Sequence, residues 1–203
     1  MRLERDFYER SPVTLIAQEL IGKVLCTKID GVLTQGRIVE TEAYAAVGDK
    51  ACHAHLGRFT ERTKTMYEAG GTAYIYLCYG IHHLFNISVN VKGVADAVLI
   101  RGLEPLYGTE AMLRRRNLQK PARNLTAGPG ILAQAMGLSK AHNGHDLCRK
   151  DSLIWVENDG FQNRNEIQIE TGPRVGLGAD AEEDALLPWR YWLRGSKWKS
   201  PAK

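Results

Sequence analysis

The sequence predicts an α+β domain built on a mixed, largely antiparallel sheet. Runs of strand character come as neighbours joined by tight-turn dipeptides, Asp30-Gly31 and Lys92-Gly93. Helical periodicity is confined to a few short segments. Strands and helices do not alternate regularly, as a doubly wound parallel fold would require. In order, Ser11-Pro12 opens a helix with Ser11 as N-cap, Pro12 in the first turn, Leu15, Ile16, Leu20 and Ile21 at helical spacing, and Gly22 as the stop. Lys23 to Ile29 reads as a strand, and Asp30-Gly31 turns it into a second run that reaches Arg37 to Tyr44. Regular alternation there would put Ile38, Glu40 and Glu42 on one face. Gly70-Gly71 introduces a strand from Thr72 to Tyr79, ended by Gly80; Leu84 to Val91 and Ala95 to Arg101 follow. Thr109 to Leu118 predicts a basic helix carrying Arg114, Arg115 and Arg116. Gly128-Pro129-Gly130 starts a short helix, Ile131 to Met136, closed by Gly137. Asp151 to Val156, Glu166 to Glu170 and Pro188 to Leu193 read as late strands. No repeat, low-complexity tract or linker divides the chain, so residues 1–203 are expected to form one domain, with Lys197 to Lys203 a frayed tail.

Bulk composition narrows the functional classes. A chain of 203 residues suffices for one well-cored domain and is short for two. With 44% hydrophobic and 25% charged residues it has an ordinary globular composition, and its net charge of +4 permits a nucleic-acid partner without demanding one. The charged amino terminus lacks the apolar stretch of a secretory signal, and no apolar run reaches membrane-spanning length. Cys26, Cys52, Cys78 and Cys148 lie far apart and form no C-x-x-C pair, which points to free thiols in a reducing compartment.

The window from Arg37 to Asn86 concentrates the chemistry: R-I-V-E-T-E-A-Y, then C-H-A-H, then G-G-T-A-Y-I-Y-L-C-Y-G-I-H-H-L-F-N. Two carboxylates two residues apart stand beside histidines and closely spaced tyrosines. A carboxylate among flat aromatic faces suits cleavage of a substrate with a stackable part, such as a nucleobase. Glu42 is the candidate general base, ionised near its unperturbed pKa of about 4.3 without help and further secured by a nearby cation, for which Arg101 is the candidate. The plain alternative is a solvated edge charge. Cys52, His53, His55, His82 and His83 raise a metal reading, but no H-x-x-x-H, C-x-x-C or H-E-x-x-H spacing supports it. His53 reads better as a stacking or hydrogen-bonding pocket wall. Tyr74 and Tyr76 share a strand face, whereas Tyr79 sits beside Gly80 at a turn, where a ring is rigidly presented and could enter a base stack. Packing within the sheet is the plainer reading of all three. Gly128 and Gly130 at a helix start offer amides to a phosphate, or form an ordinary loop. Arg114 and Arg115, with Arg116, Lys120 and Arg123, could follow a nucleic-acid backbone or form a solvated face.

Taken together these motifs resemble the alkyladenine (3-methyladenine) DNA glycosylase family. The resemblance rests on G-R-I-V-E-T-E-A-Y (Gly36 to Tyr44), the Cys52-His53 segment with the following G-R-x-T, G-T-A-Y-I-Y-L-C-Y-G (Gly71 to Gly80), and L-I-R-G-L-E-P (Leu99 to Pro105). A-G-P-G (Ala127 to Gly130), P-R-V-G (Pro173 to Gly176) and R-Y-W-L-R-G-S (Arg190 to Ser196) follow in order, nearly to the end of the chain. It implies a single mixed domain around a curved antiparallel sheet and a monomeric, monofunctional repair enzyme. Such an enzyme hydrolyses the N-glycosidic bond of damaged purines in double-stranded DNA, uses no metal or organic cofactor, and works in the cytoplasm, at the nucleoid, or in a nucleus. By position, the resemblance makes Glu42 the water-activating carboxylate with Arg101 beside it, Tyr44, His53, Tyr76 and Asn86 the base pocket, and Tyr79 the intercalating ring. Two departures stand out: Thr63 replaces an asparagine near the pocket, and Ile131 replaces a cation near the expected phosphate contact. The rival expectations are a catalytically silent damage-binding module and a metal-dependent hydrolase using Glu40, His53 and His55.

Overall fold

The computed structural model describes residues 1–164 and 167–201, with backbone alone at 163 and 164. It contains an eight-stranded sheet: β1 (Val24–Ile29), β2 (Val32–Tyr44), β3 (Thr72–Cys78), β4 (His82–Val89), β5 (Asp96–Tyr107), β6 (Ile154–Glu157), β7 (Ile169–Gly172) and β8 (Arg190–Leu193). Its helices are α1 (Arg5–Tyr8), α2 (Val13–Glu19), α3 (Thr109–Arg116), α4 (Pro129–Ala135) and α5 (Phe161–Arg164). The strands run β3-β4-β5-β2-β1-β6, and every ladder among the described residues is antiparallel, as the hairpin-by-hairpin sequence pattern predicts. Asp30 and Gly31 have φ of 53° and 74°, the left-handed pair that a two-residue hairpin turn needs to match strand twist.

β2 is the axis of the molecule. One edge pairs with β5 along most of its length; the other pairs with β1 up to Arg37 and then with β8 from Glu40 to Glu42. At this branch the β2–β5 register shifts on both sides of Glu40, so the regular alternation expected for Ile38, Glu40 and Glu42 does not hold. Ile38 joins the main core, whereas Glu40 and Glu42 turn together toward Arg101. On the opposite face Thr41 donates to the Ala17 carbonyl of α2, and Val39 and Ala43 pack into the core that α2 helps build. A second, smaller cluster of Cys52, Ala54, Met66, Tyr74, Ala95 and Ala97 supports the long β2–β3 connection. The four cysteines are free, and no helix among the described residues is long and apolar enough to cross a membrane.

Several local expectations are corrected. Pro12, not Ser11, occupies the cap of α2, and no side chain caps it. β5 runs on past Arg101 to Tyr107 despite Gly102 and Pro105, because β2 is long enough to keep pairing with it. The beginning of the late strand expected at Glu166 lies outside the described residues, as do residues 202 and 203. The expected fraying from Lys197 is wrong for the described tail: Trp198 packs into the main core, and Ser200 is buried and hydrogen-bonded to Glu40. A polar sequence ending concealed these two anchors.

Candidate active site

Antiparallel register assembles one face of the site. Tyr74 of β3 pairs with Asn86 of β4, Asn86 with Leu99 of β5, Leu99 with Glu42 of β2, and Glu42 with Arg190 of β8. Directly opposed residues share a sheet face, so this rung sets a carboxylate, an amide and a phenol in one row. A cavity of 1140 Å³ opens there, lined among others by Tyr44, His53, Arg62, Tyr74, Tyr76, Asn86, Arg101, Val175 and Ser200. Small-molecule pockets commonly span about 300–1,000 Å³, so this one has room for a purine with its sugar still attached.

Glu42 is fully buried. Its Oε2 accepts the Tyr44 hydroxyl at 2.8 Å and Arg101 Nη1 at 3.2 Å, and its Oε1 accepts the Val175 amide at 2.8 Å. A carboxylate has about four lone-pair sites, so one place, on Oε1, remains for a water. The expectation of an unperturbed carboxyl is corrected: burial pushes the Glu42 pKa up, opposed by Arg101, the Val175 amide and Tyr44. Burial disfavours the Arg101 charge, but Glu42 and Glu40 together hold its pKa above the usual value. Glu40, equally buried, accepts Arg101 Nε at 3.2 Å, Arg190 Nε at 2.7 Å and the Ser200 hydroxyl at 2.8 Å on Oε1, and the Ser200 amide at 2.5 Å on Oε2. The two carboxylates therefore differ: Glu40 is filled by two guanidiniums and Ser200, whereas Glu42 is held by Tyr44, Arg101 and Val175, all three of which line the cavity.

The aromatic side of the cavity is built by β3 and His53. Tyr74 and Tyr76 have centroids 5.4 Å apart, and His53 meets Tyr76 edge-on at 4.8 Å. His53 Nδ1 lies 2.9 Å from the Tyr74 hydroxyl, and burial, followed by Arg62 and Arg58, brings its pKa down to about 4. Behind Tyr44 runs a fully buried, two-pronged ion pair, Arg174 to Asp49 at 2.6 and 2.7 Å, with the guanidinium 4.8 Å from the Tyr44 ring centroid. This pair holds the loop whose Val175 amide reaches Glu42. Asn86 donates to the Tyr74 carbonyl at 3.1 Å and lies on the cavity wall. Tyr79 sits at the β3–β4 turn with φ 50° and 87% of its surface exposed, next to exposed Ile81.

The cavity wall thus brings together Arg101, Tyr44, His53, Tyr76 and Asn86, with Tyr79 at the rim and Glu42 buried behind Tyr44 and Arg101. It does not bring Arg114 or Arg115 there. Arg115 donates to the Ala135 carbonyl at 3.0 Å and packs over Gly137, tying α3 to α4, and Arg114 is an exposed residue of α3. Gly128 and Gly130 do line the cavity, but Gly130 is where the His82 ring rests; an added Cβ would stand 2.8 Å from it. Close packing, not an open anion cradle, explains that glycine. Glu40 is occupied by two guanidiniums, and among the described residues no three His, Cys, Asp or Glu side chains converge as metal ligands. Thr63, the departure near the pocket, is buried and closes its own loop, accepting the Thr60 amide and donating to the Arg58 carbonyl, each at 2.8 Å.

Sequence reasoning missed Arg190, Ser200, Val175 and the Asp49–Arg174 pair. Arg190 and Arg174 lay inside recognised motifs, but the partners that give them meaning are remote in sequence. Ser200→Ala, which deletes the hydroxyl and keeps the amide, is expected to lower the unfolding free energy by about 1–3 kcal/mol, the usual loss for a buried hydrogen bond to a charged group. Denaturant unfolding checks this; a loss below about 0.5 kcal/mol would place the tail's anchorage in Trp198 and the backbone alone.

Comparison with known proteins agrees with this geometry. A family model described as methylpurine-DNA glycosylase matches residues 6–197. Relatives named provisionally as 3-methyladenine DNA glycosylases are similar over almost the whole chain. That of Alkaliphilus oremlandii is 42% identical over 201 residues, covering 96% of each chain. That of Clostridium tetani is 40% identical over 208 residues, covering 98% of this chain and 99% of its own. That of Chlamydia felis is 42% identical over 198 residues, with 97% and 98% covered. With the family model spanning nearly its full length, the chain belongs to the methylpurine-DNA glycosylase family.

Proposed function

We propose that this protein is a monofunctional DNA glycosylase that turns a damaged purine out of duplex DNA and hydrolyses its N-glycosidic bond with a water held by Glu42. The observation that carries the reading is a buried carboxylate with one acceptor site left over, held by Tyr44, Arg101 and Val175, which line a cavity that Tyr76 and His53 also line. A purine in a duplex hides its sugar carbon, so the base must leave the stack first, at a cost of a few kcal/mol. Inside the cavity it would lie against Tyr44 and Tyr76, whose π-faces attract an alkylated, positively charged ring. As the base departs, positive charge grows on the sugar, and ionised Glu42 stabilises it while taking the proton of the attacking water. Arg101 keeps Glu42 ionised and in place. All these groups come from one chain and need no metal or organic cofactor, so a monomer suffices, acting wherever genomic DNA lies.

Tyr79 would fill the gap that the extruded base leaves. Tyr79→Ala is expected to weaken binding to a lesion-bearing duplex by about 5- to 100-fold, since base–aromatic stacking contributes roughly 1–3 kcal/mol. Fluorescence anisotropy under conditions that block turnover checks this; an unchanged affinity would return Tyr79 to an ordinary turn residue. The proposal itself is tested by chromatographic detection of free hypoxanthine, or of a free alkylated adenine, after incubation with a duplex carrying one such base, with EDTA present. Released base supports it. Binding without release would favour a damage-binding module, and release abolished by EDTA a metal-dependent hydrolase.

A further inference from the structure

The cavity already contains a flat cation. Arg62, on the connection between β2 and β3, is an exposed residue whose guanidinium carbon lies 4.6 Å from the Tyr76 ring centroid. Its Nη2 stands 2.9 Å from His53 Nε2. No carboxylate among the described residues pairs with it, although Lys64 two positions on does pair with Glu61. Its loop is set from below by the buried Thr63 hydroxyl. A guanidinium donates hydrogen bonds and cannot accept them, so His53 Nε2 must be the acceptor. The imidazole proton then sits on Nδ1 and is donated to the Tyr74 hydroxyl 2.9 Å away. The pocket wall therefore presents an aromatic face and a fixed acceptor, and Arg62 satisfies both.

A purine alkylated on a ring nitrogen and still joined to its sugar has the same attributes: it is planar, positively charged and edged with N–H donors, and the severed base keeps the flat face and the N–H edge but not the charge. We infer that Arg62 is a specificity-determining residue whose guanidinium stands in for a base on Tyr76 and His53, and leaves when duplex DNA offers it a phosphate. A base that arrives attached to DNA brings the alternative partner for Arg62 with it. A free purine does not, and must displace the guanidinium unaided. After cleavage, the return of Arg62 to Tyr76 would speed release of the severed base. This inference rests on the glycosylase reading of the cavity.

The test compares wild type with Arg62→Ala and Arg62→Lys. Free 1,N6-ethenoadenine is titrated by fluorescence, and free 3-methyladenine is assayed as an inhibitor of excision. Loss of one cation–π contact and one hydrogen-bond competitor predicts that Arg62→Ala binds both free bases about tenfold more tightly. Its affinity for a lesion duplex should fall, with a salt dependence shallower by about one unit of log–log slope. Arg62→Lys, which keeps the charge without the flat fork, should lie between. Free-base affinity that is unchanged or weaker in Arg62→Ala, in an enzyme whose wild type does excise the lesion, would overturn this inference alone and make Arg62 a fixed wall. A wild type that releases no base would overturn it together with the reading beneath it.

Discussion

Glu42→Gln is expected to slow single-turnover base release by about 10³-fold or more while leaving lesion-duplex binding within a few fold. Glutamine keeps the shape of the side chain and can still accept the Val175 amide. It can neither take a proton from water nor oppose the positive charge that grows on the sugar. General-base catalysis commonly contributes about 10²–10⁴ in rate, and a lost electrostatic contact at the reacting centre about 10²–10³. The pH dependence has a definite sign. On the proposed mechanism the ionised carboxylate is the active form, and burial raises its pKa. Wild-type release should therefore fall as pH drops through a value above the ordinary carboxylate range of about 4.3, and Glu42→Gln should lack that limb. A variant retaining a tenth or more of wild-type rate would remove Glu42 from the chemistry.

Glu40→Ala, two residues away, is expected to act on stability instead. Glu40 is the common acceptor of Arg101, Arg190 and the Ser200 amide and hydroxyl, all of them buried. Alanine would strip Arg190 of its carboxylate in the interior and leave Arg101 with Glu42 alone, and breaking a buried ion pair from one side costs about 3–5 kcal/mol. Domains of this kind are stable by roughly 5–15 kcal/mol, so the loss is a large share of the total. Urea unfolding should show a lower midpoint with an unchanged m-value. A change below about 1 kcal/mol would mean that the guanidiniums re-pair, and that the tail rather than the carboxylate holds them. The contrast between Glu40 and Glu42 is the sharper test: neighbours of one type on one strand, one filled by two guanidiniums and the other held by residues of the cavity wall.

Much of this arrangement was legible in the sequence where the governing forces are local. Turn dipeptides marked the hairpins, and helix spacing marked α2. The Tyr74–Tyr76 alternation predicted a shared face, which the rings' 5.4 Å separation bears out. The proximity of Arg101 to Glu42 was anticipated as well. Non-local register was not legible. The rung from Tyr74 through Asn86 and Leu99 to Glu42 and Arg190 spans five strands, and the shifts around Glu40 that separate it from Ile38 leave no compositional mark. Long-range polar pairing escaped for the same reason: nothing near Asp49 foretells Arg174, and nothing in a Lys- and Ser-rich ending foretells that Ser200 touches Glu40. Single-residue polarity misled at Arg115, where a basic helix position serves inter-helix carbonyls and not a phosphate.

Hydrolysis by a carboxylate-held water has a product signature that no imine-forming route shares. The most direct measurement is a single-turnover incubation of wild type with a duplex carrying one hypoxanthine or alkylated adenine, with and without borohydride, products being read before and after alkali. Hydrolysis at Glu42 predicts free base, a strand that stays intact until alkali is added, and no covalent protein–DNA adduct. A borohydride-trapped adduct, or strand scission without alkali, would contradict it, because either result requires an amine nucleophile in place of the water.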